Sequence, residues 1–152
     1  MQRVSRVAAV WLAAFLCGVG SGAPPAAGTA QLRVENARVT QPPPGADVAA
    51  AYFTLHNAGA DPQVLSGISS PAADAAMLHE TRLDHGIERM RPVERLQVAP
   101  GQAIVLRPGA LHVMLHGLHG ELRVGQSLLL VLHFAGGGEL EVNAVIQPIG
   151  SQ

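Results

Sequence analysis

Hydrophobic and polar residues alternate along most of the chain, in short runs separated by Gly, Pro and Asn. In the clearest run, Ser127–Phe134, every second residue from Leu128 to Phe134 is a large apolar one that can face a core. The intervening residues, which include His133, take the other face. A period of two residues is typical of a β-strand that is buried on one side.

Nine further runs fit the same description, and Gly- or Pro-containing turns separate most of them. The predicted strands are Leu32–Val39, Ala50–Asn57, Gln63–Ile68, Ala75–Thr81, Glu88–Val93, Arg95–Val98, Ala103–Arg107, Ala110–Leu115, Ser127–Phe134 and Glu139–Gln147. Many short strands at fairly even spacing predict an all-β sandwich or barrel. One segment, Ala72–Leu83, is rich in Ala, Met and Leu, and a single helical turn there is the alternative.

The first 30 residues have the layout of a secretory signal peptide and leader. Arg3 and Arg6 precede an apolar run from Val7 to about Gly20, and small residues follow as far as Ala30. That run is short for a membrane span, which needs roughly 20 apolar residues. We therefore expect an exported protein that is cleaved near residue 30 and is not stably inserted in the membrane. Cys17 is expected to leave with the signal, because Leu16 is not the small residue that usually precedes a lipidated Cys.

The remaining segment, residues 31–152, is predicted to form one domain. It contains no Cys, so neither disulfides nor thiolate metal sites can form in it. It carries eight Arg against eleven Asp and Glu, a net charge of -3, which argues against nucleic-acid binding. Seven His in the whole chain are the unusual feature.

Two His and two Met fall in an informative arrangement, His79-x10-Met90-x21-His112-x-Met114. A hairpin centred on Asp84 and His85 would place His79 directly opposite Met90. His112 and Met114 are two residues apart and so share one face of a strand. Neutral, polarisable thioethers favour Cu(I) and are poor ligands for Zn(II). Each Met alone is more simply a core residue, and each His alone a surface residue, so the combination carries the interpretation.

This spacing resembles the signature of the periplasmic copper chaperone family PCu(A)C, and the residues around the four positions agree with it. Those surroundings are Ala51–Asn57, Leu78-His79-Glu80, Met90-Arg91-Pro92-Val93 and Arg107–Leu115. The resemblance implies a cupredoxin-like Greek-key fold with Cu(I) held by His79, Met90, His112 and Met114. It also implies delivery of copper to thiolate proteins of oxidase assembly, toward the copper A centre of cytochrome c oxidase.

Other functions remain as alternatives. Copper storage or detoxification would use the same site, and a β-sandwich could serve as a metal-free interaction module. A blue-copper protein is disfavoured because it needs a Cys ligand, and an enzyme is disfavoured because no three-His zinc pattern or Ser-His-Asp pattern is visible. Surface positions are expected for His85, His116 and His119, no partner is assigned to His56 or His133, and Met77 either lines the site or packs beside it.

Overall fold

The computed structural model describes residues 31–150, and the predicted signal peptide and leader lie outside this range. This part of the chain forms ten strands and no helix. The strands are β1 (Leu32–Thr40), β2 (Val48–Asn57), β3 (Gln63–Ser69), β4 (Ala73–Asp84), β5 (Ile87–Pro92), β6 (Leu96–Val98), β7 (Ala103–Val105), β8 (Leu111–Leu118), β9 (Ser127–Phe134) and β10 (Glu139–Gln147). Each predicted strand is confirmed, with ends that differ by a few residues.

Seven of these strands close into a barrel. Its order is β4-β8-β2-β1-β10-β9-β3, and β3 returns to β4 through the pair Ile68 and Ala76. The pairings are antiparallel except for β1 with β10, which is parallel. The three short strands β5, β6 and β7 pair with β4, β3 and β2 respectively. The prediction of an all-β sandwich or barrel is therefore confirmed, and the observed form is a closed barrel.

The barrel interior is filled by apolar side chains from every second residue of its strands. In β2 and β9 every second residue is buried, as predicted from the pattern of β9. The largest fully buried side chains are Phe53, Leu55, Leu106, Leu115, Leu130 and Leu132. Burial of a Leu or Phe stabilises a fold by about 1.5–3 kcal/mol per side chain, so a core of this size can replace the missing disulfides.

The segment Ala72–Leu83 is strand β4 and not a helix. Its outer half leaves the barrel and pairs only with β8 and β5, and all six residues of β5 are exposed. Leu78 is 7% exposed because it points into the barrel, whereas Leu83 near the tip is 73% exposed. Tertiary pairing on both edges overrides the helix propensity of Ala, Met and Leu.

The β4–β5 hairpin has a different register from the one predicted. Its two loop residues are His85 and Gly86, and both have positive φ (51° and 83°), as a type I′ turn requires. Asp84 therefore pairs with Ile87, His79 faces Pro92, and Met90 faces Thr81. The prediction that His79 lies directly opposite Met90 is wrong by two residues. Because the shift is even, both side chains still lie on the same face.

No helix within residues 31–150 is long and apolar enough to cross a membrane.

Candidate metal centre

The candidate ligands meet where β4 and β8 run side by side. His79 pairs directly with His112, and Met77 pairs directly with Met114. Residues that pair directly in antiparallel strands have Cβ atoms about 5 Å apart. Two imidazoles and two thioethers thus form successive pairs on one face of the β4–β8 ladder, with the Leu78–Val113 pair of the opposite face between them, although 32 residues of sequence separate His79 from His112.

This ladder lies on the outer face of the barrel wall. The residues between the candidate ligands, Leu78, Val113 and Leu115, are buried in the core. His112 is nevertheless only 5% exposed, while Met77 is 44% exposed. The site is thus a shallow one, with an imidazole at its base and a thioether at its surface.

The turn before β8 orients His112. Arg107 N–H donates to the Leu111 carbonyl at 2.7 Å, and Ala110 N–H donates to the Arg107 carbonyl at 3.2 Å. The Ala110 carbonyl in turn accepts a hydrogen bond from His112 Nδ1 at 2.9 Å. A carbonyl only accepts, so Nδ1 carries the proton and Nε2 keeps its lone pair. Metal-binding histidines commonly have their second nitrogen fixed in this way.

His79 and His116 each contain a buried nitrogen without a hydrogen-bond partner. These atoms are His79 Nδ1 and His116 Nε2. The His79 ring stacks on His112 at a centroid distance of 6.0 Å and meets the edge of His116 at 6.4 Å. His116 was expected on the surface, and its position in this cluster corrects that expectation. A strand that continues to Leu118 keeps His116 on the same face as His112 and Met114.

Burial lowers the pKa of His79 below its ordinary value, because the charged imidazolium loses water contacts there. Repulsion from His112 and His116 lowers the pKa further, and a backbone interaction at Met77 offsets part of the change. A lowered pKa keeps the ring neutral at neutral pH. A neutral imidazole is the form that binds a metal.

The thioethers of the candidate site come from three strands, Met77 from β4, Met90 from β5 and Met114 from β8. Met114 lies between His112 and His116 along β8, with Met77 directly across from it. Met90 is opposite Thr81, which makes it a diagonal neighbour of His79 across the β4–β5 pair, and it is 52% exposed. Diagonal neighbours are about 7–8 Å apart at Cα, which long side chains can span. Because Met77 pairs directly with Met114, it lines the candidate site, a position that the sequence left undecided.

The other histidines have partners outside this cluster. His85 is at the hairpin tip, where its side chain is 95% exposed and pairs with Asp84. His119 contacts Asp74 at 2.7 Å and the Pro71 carbonyl at 3.2 Å. Both confirm the surface positions that were expected for these two residues.

His56 and His133 also have partners, which the sequence did not reveal. His56 contacts Glu35 at 3.1 Å. His133 joins Ser69 at 2.8 Å and Glu139 at 3.0 Å. The Ser69–His133–Glu139 chain has the connectivity of a hydrolase triad, but it lies on the exposed outside of the barrel and links β3, β9 and β10.

Within residues 31–150, no three His, Cys, Asp or Glu side chains are arranged to hold a metal ion by themselves. Among the same residues, the face of β4 and β8 that bears the candidate ligands also has no carboxylate, because Glu80 follows His79 directly and so lies on the opposite face of β4. The other donors that this face offers beside its imidazoles are the thioethers of Met77 and Met114. Such a donor set is neutral and soft.

Comparison with known proteins places the fold and the family. Residues 32–146 match the LpqE-like family, which is described as a lipoprotein family. The protein Lxx21020 of Leifsonia xyli subsp. xyli, whose name also describes a lipoprotein, is 30% identical over 141 residues, which are 90% of this chain and 84% of that protein.

Two solved structures share the architecture. The apo PCuAC domain from PmoF1 is 28% identical with a TM-score of 0.66, over 78% of this chain and 94% of that one. The Cu(I) form of DR1885 from Deinococcus radiodurans is 31% identical with a TM-score of 0.56, over 74% and 75% of the two chains. These likenesses agree with the predicted cupredoxin-like fold. The chain belongs to the LpqE-like family, and its barrel is of the PCuAC type.

Proposed function

We propose that this protein is an exported copper chaperone that binds one Cu(I) ion through His79, Met90, His112 and Met114. The observation that carries the proposal is the β4–β8 register, which pairs His79 with His112 and places Met114 in the next pair on the same face. DR1885, with a Cu(I) form, and the PCuAC domain of PmoF1 are similar in fold and sequence, which supports copper as the cargo.

The donors suit Cu(I) better than the divalent ions common outside the cytoplasm. Thioether sulfur is a soft ligand that favours Cu(I), whereas Mg²⁺ and Ca²⁺ require oxygen ligands. Thioethers cannot form disulfides, so the site tolerates an oxidising compartment better than a Cys site does. His79 Nδ1 and His116 Nε2 are buried on the same face without a hydrogen-bond partner, so the imidazoles there are little engaged by other protein groups.

Exposure of the site suits a carrier. Because the ligand Met90 is about half exposed, and Met77 beside the site is exposed to a similar extent, a partner's ligands can replace the site's own ligands one at a time. Cys thiolates bind Cu(I) more strongly than thioethers do, so a thiolate recipient would draw the ion away. We propose recipients of this kind in oxidase assembly, with the copper A centre as the final destination. Failure of the Cu(I)-loaded protein to pass its metal to an isolated copper A domain would contradict delivery.

Export rests on the signal-like first 30 residues and on the lipoprotein names of the relatives. We propose the periplasm as the compartment, with cleavage near residue 30. Those names make lipid attachment at Cys17 the competing form of export. The intact mass of the protein recovered from an exported fraction separates the two, because only the second keeps Cys17 and adds acyl chains.

The ligand set is tested by replacing the thioethers with Leu, which has a similar volume and no sulfur. We expect Met90→Leu with Met114→Leu to weaken Cu(I) binding at least 100-fold, since even residues that only orient a ligand cost about 10- to 100-fold. Competition with a chromophoric Cu(I) chelator measures the affinity. X-ray absorption of the Cu(I) form should show sulfur and nitrogen scattering in the unmodified protein and a loss of sulfur in the double variant.

Met77→Leu is the matched comparison, because Met77 faces Met114 directly and is exposed to a similar extent as Met90. We expect a smaller change in Cu(I) affinity than Met90→Leu produces. The reverse order would replace Met90 by Met77 in the ligand set. Unchanged affinity in all three variants would overturn thioether ligation itself.

A further inference from the structure

We propose that Met90 is a modification site, at which a peroxide disables the metal-free copper centre by oxidising the Met90 thioether to a sulfoxide. The proposal rests on the function proposed above and adds a regulation of the same site by oxidants. It is carried by the location of the sulfur atoms in the fold and by the order in which they are exposed.

Every sulfur atom of residues 31–150 lies at the candidate metal centre. This segment contains no Cys, and its Met residues are Met77, Met90 and Met114. Met77 pairs with Met114 on the β4–β8 ladder, and Met90 lies diagonally across the β4–β5 pair from His79. Cys thiolates and Met thioethers are common targets of biological oxidants. A peroxide that acts on sulfur in this part of the chain therefore acts at the proposed copper ligands or directly beside them.

The position of each thioether in the sheet decides how easily an oxidant reaches it. Met114 is partly buried on β8, with Met77 on one side of it and Ala50 of β2 on the other. Met90 is on β5, which ends the sheet and has all six residues exposed. Met90 is 52% exposed and Met77 is 44% exposed. We therefore expect oxidation in the order Met90, Met77, Met114.

The hairpin gives Met90 little cover. Its direct partner across the β4–β5 pair is Thr81, a smaller side chain. Its neighbours on the same face of β5 are Glu88 and Pro92, and both are themselves exposed. The exposure that lets a recipient reach the ligand Met90 thus also lets a small oxidant reach it.

Oxidation and copper binding use the same electron pair on sulfur. That pair attacks one oxygen of hydrogen peroxide, the O–O bond breaks and a sulfur–oxygen bond forms. The sulfur loses two electrons, and the second oxygen leaves as water with both protons. The product has a polar sulfoxide in place of a soft thioether, so it suits Cu(I) poorly. Methionine sulfoxide reductases can reverse the change with electrons from an external reductant.

The experiment treats the metal-free exported protein with graded hydrogen peroxide. Arg residues separate the three Met onto different tryptic peptides, so mass spectrometry follows the gain of oxygen at each one. After the peroxide is removed, chelator competition measures the Cu(I) affinity and circular dichroism reports the fold. Met90→Leu and Met77→Leu are treated in the same way. A parallel sample carries one equivalent of Ag(I), a soft ion that avoids the reaction of Cu(I) with peroxide.

We expect Met90 to gain oxygen at least about fivefold faster than Met114, because it is the more exposed of the two. Cu(I) affinity should fall by about tenfold or more when Met90 alone is oxidised, with the fold unchanged, and should return after reductase treatment. Bound Ag(I) should slow the oxidation of Met90. Met90→Leu binds Cu(I) more weakly from the start, and the same peroxide dose should weaken it no further. Met77→Leu should stay as sensitive as the unmodified protein.

Faster oxidation of Met114 than of Met90 would overturn the proposal. Unchanged Cu(I) affinity in protein oxidised at Met90 alone would overturn it as well, and so would a failure of Ag(I) to protect Met90. A peroxide-sensitive Met90→Leu variant would place the damage at another residue. Lack of Cu(I) binding by the untreated protein would instead contradict the proposed function itself, whatever the order of oxidation.

Discussion

Three histidines on the β4–β8 face and His119 just beyond β8 have opposite surroundings. His79, His112 and His116 are partly or fully covered on the β4–β8 face, and two of their nitrogens lack any partner. His119, one turn beyond, is half exposed and has both nitrogens in hydrogen bonds. The sequence His112-x3-His116-x2-His119 gives no hint of this difference.

The contrast shows what makes a histidine available to a metal. The pKa of His119 is raised, chiefly by its hydrogen bond with Asp74 and also by the Pro71 carbonyl, so protons occupy both of its nitrogens over a wider pH range. Burial lowers the pKa of His79 and leaves its ring neutral. Residue type is the same in both places, and only desolvation and partners differ.

The largest expected effect is a loss of Cu(I) affinity when a histidine of the β4–β8 face is replaced, and His119 provides the comparison. His112→Leu should weaken Cu(I) binding at least 100-fold, because it removes a ligand whose orientation the Ala110 carbonyl fixes. His119→Leu should leave the affinity unchanged. Chelator competition at neutral pH measures the Cu(I) affinity of both variants. Equal losses in the two would contradict the distinction between His119 and the histidines of the β4–β8 face.

How much of this could be read from the sequence depends on the range of the interaction. The strands and the inward face of β9 follow from local alternation, and all ten strands were predicted. The hairpin register was not, because the choice between Asp84-His85 and His85-Gly86 as loop residues depends on which pair adopts positive φ. Glycine at the second loop position is the local signal that favours the observed turn.

The pairing of β4 with β8 could not be predicted from local patterns at all. It joins segments more than 30 residues apart, and only the resemblance to a copper chaperone family suggested that His79 and His112 meet. The inclusion of His116 depended on β8 continuing past Leu115, which the sequence left open. Partners of His56 and His133 are likewise distant, on β1 and on β3 and β10.

Gly117 lies between His116 and His119, and its replacement is expected to give the second-largest effect, a loss of stability. Its φ of +65° is unfavourable for other residues, and an added Cβ would collide with the Asp74 side chain. We expect Gly117→Ala to lower the free energy of unfolding by about 2–4 kcal/mol, from backbone strain together with the steric clash. Urea unfolding followed by circular dichroism measures the loss.

Gly86→Ala is the control for backbone strain alone. Gly86 also has positive φ, 83°, but an added Cβ there has nothing within 4 Å. A loss of about 1–2 kcal/mol is expected, from the left-handed conformation only. If both variants lose the same stability, then Asp74 moves aside without cost and is not a rigid partner of His119.

The smallest effect concerns protonation of His119 itself. Asp74→Ala should bring the pKa of His119 down toward its ordinary value near 6.5, because it removes both the hydrogen bond and the charge that raise it. Asp74→Asn keeps an acceptor without the charge, and an intermediate pKa is expected. Two-dimensional NMR of the imidazole nitrogens across pH 4–9 follows each residue separately.

The pH dependence of the free energy of unfolding has opposite signs for His119 and His79. A raised pKa means that the His119–Asp74 pair stabilises the fold fully below the unfolded value near 6.5, and this contribution is lost as pH rises through the folded value. For His79 the pKa is lowered, so its contribution is present above that unfolded value and is lost as pH falls through the folded value. In the metal-free protein, Asp74→Ala should therefore reduce stability at mildly acidic pH more than at pH 8. A variant that is destabilised equally at both would show that Asp74 acts through packing and not through the His119 proton.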